Sequence, residues 1–364
     1  MTSDRVTAVA AEHDSPSNRP FVIIGENIHA TRVVLRSGRH VLADGDHEWL
    51  LFRDASGNER RLPVPDWHLE TQEHEAGRLK HVAIAIRTGM DGGVDAETAL
   101  AYLRSLVRRQ VDAGAAYLDL NVDELSPMLR VQKAAMAWLV EQVQEWTDVP
   151  VSIDSSHIDI IAEGLSHARP GSGPMLNSAS LERRSAVDLA VAADGPVVVT
   201  AAGASGMPSN AEGRVDNASA MVEATLGAGI APDRIYIDPL IFPVSVDGAF
   251  GRHALDAIRL LRARWPETHI TGGMSNISFG VPGRRLLNEA FLRLAIEAGA
   301  DSGIVDPVTT DPEAVLTLDL SSGPHALARD ALLGVDENCR AFLRAYRARE
   351  FAPWGIEPPA RRAT

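Results

Sequence analysis

Seven of the eight long apolar runs in this sequence finish on a carboxylate or a carboxamide. Glu26 and Asn27 close the first run, Asp119 and Asn121 the second, Asp154 the third and Asn177 the fourth; Asp238, Asn276 and Asp306 close the last three. Acids and amides at the ends of buried strands cost free energy unless they find partners. One or two would serve as helix caps, but seven ask for a ligand. A carboxylate accepts two parallel bonds from a ring N–H and its neighbouring exocyclic amine, and amides match mixed donor–acceptor edges. The set therefore suits a flat heterocycle rich in N–H donors, with a guanine-like or pterin-like edge. Paired carboxylates also ligate divalent metals. Here the acids stand on separate runs without a His-rich or Asp-x-Asp cluster, so no metal site is expected.

The densest of these positions lies in the stretch from Thr271 to Arg285, Thr-Gly-Gly-Met-Ser-Asn-Ile-Ser-Phe-Gly-Val-Pro-Gly-Arg-Arg. Gly272 and Gly273 allow a tight turn, on which Ser275, Asn276 and Ser278 gather hydrogen-bonding side chains. An amide donates and accepts without carrying charge, so Asn276 suits a neutral heterocycle on which a proton moves. The alternative is a polar loop that merely caps the helix after it.

Positioning such a set takes a repeated scaffold. Runs at 21–27, 116–122, 149–155, 174–180, 196–201, 234–240, 269–276 and 302–308 read as buried strands. Helical periodicity fills most intervals, at 96–113, 131–146, 158–167, 211–228, 249–265 and 286–298. Alternating helices and continuously apolar strands imply a parallel sheet with right-handed crossovers. Eight repeats favour a closed (β/α)8 TIM barrel over an open doubly wound sheet. Residues 1–19 read as a flexible tail, 20–350 as the barrel domain with a closing helical region at 324–349, and 351–364 as an irregular tail.

The first strand and the helix at 96 are about 65 residues apart, where a βα loop usually takes roughly 2–6. Residues 31–90 thus form a β-rich insertion, with strands near 32–41, 48–53 and 60–64 and a hairpin turn at Asp54-Ala-Ser-Gly-Asn58. Insertions in βα loops stand on the C-terminal face of a barrel, where chemistry is done. Arg32, Arg36, Arg39, Arg53, Arg60, Arg61, Arg78 and Lys80, with Trp49 and Trp67, make the insertion a candidate docking surface. The alternative is a small lid whose tryptophans pack its own core.

The chain has 364 residues and a formal net charge of −14. That balance argues against nucleic-acid binding and requires a local basic patch for any anionic ligand. No apolar run reaches the ~18–20 residues that span a bilayer, and the first residues lack the pattern of a secretory signal. A cytoplasmic location without membrane contact is expected. The single cysteine, Cys339, excludes an internal disulfide and a multi-cysteine zinc site.

Six motifs in order carry a resemblance. They are Gly25-Glu26-Asn27, the run Asp-Ala-Gly-Ala-Ala-Tyr-Leu-Asp-Leu-Asn-Val from Asp112 to Val122, Ile153-Asp-Ser-Ser156, Leu176-Asn-Ser178, Ile235-Tyr-Ile-Asp-Pro239, and Gly273-Met-Ser-Asn-Ile-Ser-Phe-Gly280 with Pro282 and Arg284. Together they resemble the pterin-binding methyltransferases, barrels that move a methyl group between methyltetrahydrofolate and a corrinoid cobalt, among them the folate domain of cobalamin-dependent methionine synthase. Dihydropteroate synthase shares the barrel, but its Lys-rich catalytic loop has no counterpart, Lys occurring only as Lys80 and Lys133.

The resemblance implies a pterin or folate site formed by Glu26, Asp119, Asn121, Asp154, Asn177, Asp238, Asn276, Ser278 and Arg284. Asn276 would reach the ring nitrogen that carries the methyl group, and Asn276 and Asp119 would be the catalytic pair. His157 stands where some members carry a pterin-contacting Asn, with capping as its other role. Tetrahydrofolate or 5-methyltetrahydrofolate would be the substrate, in one-carbon or demethylation metabolism. The corrinoid (cobalamin) would arrive on a separate corrinoid-binding protein, because the carrier signature Asp-x-His-x-x-Gly is missing: Asp66-Trp-His-Leu-Glu-Thr71 lacks the glycine. A homodimer is expected. Asn27 and His29 depart from the family's first-strand pattern. The departures near Asn27 and His157 keep open a non-catalytic pterin-binding or corrinoid-docking protein, and a dihydropteroate synthase-like enzyme is the other alternative.

Overall fold

A computed structural model describes residues 20–45 and 47–358; the tail expected at 1–19 lies outside them. Eight parallel strands form the centre: β1 (Val22–His29), β2 (Tyr117–Asn121), β3 (Val151–Asp154), β4 (Met175–Ala179), β5 (Val197–Thr200), β6 (Ile235–Asp238), β7 (His269–Ile270) and β8 (Ser302–Val305). Neighbours in sequence are neighbours in the sheet from β1 to β7, and β8 returns to pair with β1, Val22 opposite Ser302. Between β7 and β8 the described residues form one bridge, Gly273 opposite Ile304, in which the Ile304 N–H donates to the Gly272 carbonyl at 2.9 Å. The sheet thereby rounds into the expected (β/α)8 barrel.

Alternate side chains of a strand face the same side, and the lumen is layered accordingly. Ile24, Met175, Val198, Tyr236 and Ile304 form an apolar cluster of their own, with Val22 and Tyr117 against it. Two residues further along the same strands come Glu26, Asn177, Thr200, Asp238, Asp306 and Asp119. One step of the pleat, roughly 6–7 Å, therefore separates a dry floor from a polar layer. The larger core lies outside the strands, under the helices.

Helices Ala96–Asp112, Leu129–Trp146, Ile158–His167, Ala211–Gly227, Phe250–Arg264 and Arg284–Ala298 fall within two residues of their expected bounds. The short Ala186–Ala192, between β4 and β5, was not anticipated. Strand bounds differ as well, β8 ending at Val305 against the expected 308. β1 runs on to His29, and β7 stops at Ile270, after which Met274–Ser278 forms a 3-10 turn. The closing region splits into Gly323–Leu332 and Arg340–Arg347. Phe351 is buried against Phe342 and Ala352–Trp354 forms a further 3-10 turn, so packing continues into the segment expected to be irregular.

The insertion holds a three-stranded antiparallel sheet, Val41–Asp44, His47–Arg53 and Glu59–Pro63. Its turn is built as expected, the Asp54 carboxylate accepting the Ser56 and Asn58 N–H groups at 3.0 Å each. The last part of the insertion is helical, not extended: His81–Asp91 buries Val82 to Ile86 beneath the barrel's first long helix. Leu50 and Leu62 are buried and Phe52 meets Tyr102 edge-on at 4.9 Å, so the small sheet packs onto the barrel wall. Several of its cations carry acidic partners: Arg36 with Glu48, Arg53 with Glu59, Arg78 with Glu73 and Lys80 with Glu124. Trp67 is covered by the Arg87 guanidinium at 3.8 Å and packs against the core.

Candidate functional site

Above the apolar floor lies a cavity of about 820 Å³. Its polar wall comprises Glu26 and His29 from β1, Asp119 from β2, Asp154 from β3, Asn177 from β4, Thr200 from β5, Asp238 from β6, and Asn276 from the turn after β7. Neighbours hold these groups in place. Asp119, fully buried, lies 2.7 Å from His29 Nε2 and accepts the Asn177 amide at 3.2 Å. The Asn121 amide donates to Asp154 Oδ2 at 2.8 Å, and the Leu240 N–H donates to Asp238 Oδ1 at 2.7 Å. Glu26 accepts from Ser275 Oγ at 3.0 Å, tying β1 to the turn after β7. At the rim, Arg32 spans Glu26 (3.3 Å) and Asp306 (3.2 Å), and Asp306 also accepts the Asn27 amide at 2.7 Å.

Burying this many acids together changes their protonation. Burial, reinforced by the Asp119 carboxylate, holds Asp154 well above the ordinary carboxylate range. Burial also pushes Asp238 up to about 6, against the pull of the Leu240 N–H. His29 is raised as well: burial opposes the change, but the bond to Asp119 and the charges of Asp119, Asp154 and Glu26 outweigh it. The cavity therefore holds groups able to change protonation near neutral pH, the condition for proton exchange with a ligand.

Gly272 and Gly273 explain how Asn276 and Asp238 can crowd one edge. A Cβ on Gly272 (φ +149) would meet Ile241 Cδ1 at 2.8 Å and Asp238 Oδ1 at 3.0 Å. One on Gly273 would lie 2.7 Å from Asn276 Nδ2. The pair thus provides close approach as well as the expected turn. The Asn276 side chain faces the cavity and makes no hydrogen bond to the protein among the described residues.

Of the residues singled out in the sequence, Glu26, Asp119, Asp154, Asn177, Asp238, Asn276 and Arg284 line the cavity. Asn121 and Ser278 stand behind it. Asn121 orients Asp154, whereas Ser278, fully buried, accepts the Arg284 Nε at 2.9 Å. Arg284 also lies over Phe279, 4.3 Å from the ring centre. His157 is exposed at the start of helix Ile158–His167 and does not line the cavity.

His29 and Thr200 were not counted among the site residues. Pairing between β1 and β2 shifts register between Gly25 and Ile28, so Glu26 and His29, three apart, both reach the lumen, which strict alternation forbids. His29, Asp119 and Asp154 place potential ligand atoms within 4.8 Å of one another, a grouping the separation of the acids along the chain conceals. Within that group the carboxylates already accept from His29, Asn121 and Asn177.

Comparison with known proteins bears on this geometry. The family model described as pterin binding enzyme matches residues 89–306. The chain belongs to the pterin-binding enzyme family. Within it, the chain is 30% identical over 259 residues to a methylcorrinoid:tetrahydrofolate methyltransferase of Eubacterium limosum, covering 70% of this chain and 90% of that one. It is 30% identical over 228 residues to the methionine synthase of Mycobacterium leprae, covering 57% of this chain but 18% of that much longer one. Among solved structures, a dihydropteroate synthase of Yersinia pestis bound to a pterine-sulfa conjugate matches 60% of this chain and 87% of its own, at 20% identity and a TM-score of 0.49. This pterin-binding enzyme contains no helix, among its described residues, long and apolar enough to cross a membrane.

Proposed function

We propose that this enzyme transfers a methyl group between N5 of tetrahydrofolate and the cobalt of a corrinoid carried on a separate protein. The observation that carries the reading is the Asn276 amide, facing a cavity of buried acids with no protein partner of its own among the described residues. The name of the Eubacterium limosum relative supports the same pair of substrates.

The donor set suits a pterin. Asp238 Oδ2 and Asp154 Oδ1 are the oxygens not engaged by Leu240 or Asn121, and they can accept from the ring N–H and exocyclic amine. The corrinoid supplies or accepts the methyl group at its cobalt. What this chain adds is orientation and control of one proton. When the methyl leaves N5, that nitrogen must be protonated; in the reverse direction it loses the proton as the methyl arrives. Asn276 can accept from the N5–H state and donate to the bare nitrogen, so a hydrogen bond is kept throughout the exchange, and it speeds transfer to the extent that this bond is strongest in the transition state. Arg284 stacks beside the mouth, where the acidic end of a folate emerges.

Mixing the protein with methylcobalamin and tetrahydrofolate under nitrogen and following the corrin spectrum tests the reading. Loss of the methylcobalamin bands with formation of 5-methyltetrahydrofolate is expected. An unchanged spectrum, with both free and protein-bound methylcorrinoid, overturns it.

A further inference from the structure

A second cavity, of about 1080 Å³, opens between the insertion and helix Ala96–Asp112. It shares Arg32, Val33 and Asp306 with the barrel cavity, so the two adjoin at those residues. Tyr102 and His81 lie deep in it, joined by a 2.8 Å hydrogen bond. Beside Glu59 and apolar Leu42, Leu51, Phe52 and Leu106, the lining gathers five more cations: Arg39, Arg53, Arg60 and Arg61 from the insertion, and Arg109 from the helix. Arg53 and Arg60 are matched by Glu59 at 2.9 Å and Asp54 at 3.6 Å. Arg39, Arg61 and Arg109 make no ion pair with a carboxylate among the described residues. The charges of Arg39 and Arg109 converge on His40, to whose Nε2 the Arg39 Nε donates at 3.2 Å. On a chain of net charge −14, cations gathered in a recess repel one another until an anion joins them.

We propose that this cleft is a subsite for the oligo-γ-glutamyl tail of a folate whose pterin occupies the barrel, an inference that rests on the function proposed above. The occupant must be anionic, and slender enough for a recess about as large as the pterin cavity itself. It must also begin where the folate site ends, because Arg32 and Val33 belong to both. A flexible chain bearing one carboxylate per residue meets all three conditions. Arg39, Arg61 and Arg109 are exposed but line the recess, which adjoins the folate site at Arg32 and Val33. A folded acidic partner could reach their exposed parts, but nothing would require it to begin at that site. The cleft would thus sort folates by tail length, while Asp154, Asp238 and Asn276 recognise the ring common to all of them.

Calorimetry with monoglutamyl and pentaglutamyl tetrahydrofolate tests this on the full chain. The pentaglutamate should bind about tenfold or more tightly, the yield of three or four partly exposed ion pairs, and added salt should erase most of the gain. Arg39→Glu with Arg109→Glu should leave monoglutamate affinity unchanged and abolish the gain; the milder Arg39→Gln with Arg109→Gln should reduce it, with melting curves confirming that both variants fold. Equal affinity for the two folates, or a gain that survives charge reversal, overturns the subsite and leaves the barrel reading standing. Loss of reaction only with protein-bound corrinoid would assign the cleft to a protein partner and overturn it too. If neither folate binds the wild type, both proposals fall together.

Discussion

Asp238 offers the sharpest test of how the ring is held. Its carboxyl sits at about 6 because it is buried, and one oxygen is already committed to the Leu240 N–H. A pterin edge that donates N–H bonds requires the ionised form. At pH 7 about nine-tenths of the groups are ionised, and at pH 5 about one-tenth, so binding at pH 5 must first expel a proton at a cost of about 1.4 kcal/mol. Tetrahydrofolate affinity should therefore fall about tenfold between pH 7 and pH 5 from this group alone. Asp238→Asn removes a charge-assisted bond and presents a donor where an acceptor is needed, a loss of about 1.5–3 kcal/mol, or about 10–150-fold at pH 7. It should also remove this group's share of the pH dependence. Calorimetric titrations from pH 5 to 8, in buffers of differing ionisation enthalpy, report both the affinity and the proton released. If the variant keeps the full pH dependence of the wild type, the titrating group is Asp154 or His29 and the assignment of Asp238 is wrong. If its affinity at pH 7 is unchanged, the ring does not lie against β6 at all.

Asn276→Ala should slow methyl transfer about 10²–10³-fold with a smaller change in folate affinity; equal losses in both would make it a simple binding residue. Gly273→Ala, whose added carbon would stand 2.7 Å from the Asn276 amide, should reproduce that rate defect with folate affinity retained, as stopped-flow and binding measurements would show. Asp119→Asn should lower the His29 pKa, since it removes both the bond and the charge that raise it, and an unmoved imidazole titration by NMR would contradict this. A raised histidine stabilises the fold below its ordinary pKa and loses that contribution as pH climbs through the folded value, so the melting-temperature advantage of wild type over His29→Gln should shrink from pH 6 to pH 9. Leu62→Ala should cost about 2–5 kcal/mol in denaturant unfolding, because the insertion is packed into the main core; a loss under 1 kcal/mol would mark a loosely attached lid.

The polar ends of the strands were the legible part, and the structure resolves them into a layer above an apolar floor. An apolar residue followed two places later by an acid or amide, as in Tyr236 and Asp238 or Met175 and Asn177, is a period-two signal that survives without knowledge of the fold. His29 was hidden because that period breaks at the shift between Gly25 and Ile28. The end of β7 was overextended because the strand-like run continues through Gly272 and Gly273, where close approach to Asp238 and Asn276 replaces the ladder. His81–Asp91 escaped because Val82-Ala-Ile-Ala-Ile86 is a short apolar run that reads equally as strand or helix. His157 was drawn in by the resemblance, because it stands where some family members carry a pterin-contacting Asn, yet the strand ends at Asp154 and His157 is exposed. The partners of the insertion's cations could not be read at all, since Arg36 meets Glu48 and Lys80 meets Glu124 only through tertiary folding.

The bridge between β7 and β8 leaves the barrel's backbone ladder sparse next to the turn that carries Asn276. Elsewhere round the wall adjoining strands share two or more paired residues; here the described backbone contributes one hydrogen bond, from Ile304 to Gly272. Side chains add others at the far end, the Ile270 N–H donating to Asp301 Oδ1 and Ser302 Oγ to the Ile270 carbonyl. Local opening requires the least free energy where the fewest bonds must break, so the Ile304 amide should exchange its hydrogen with solvent ahead of its neighbours along β8. A ring gripped by Asp238 on one flank of this seam and by Asn276 above it would act as a clasp. Exchange at Ile304 should then slow when the ring binds, reporting occupancy from a position the ligand need never touch.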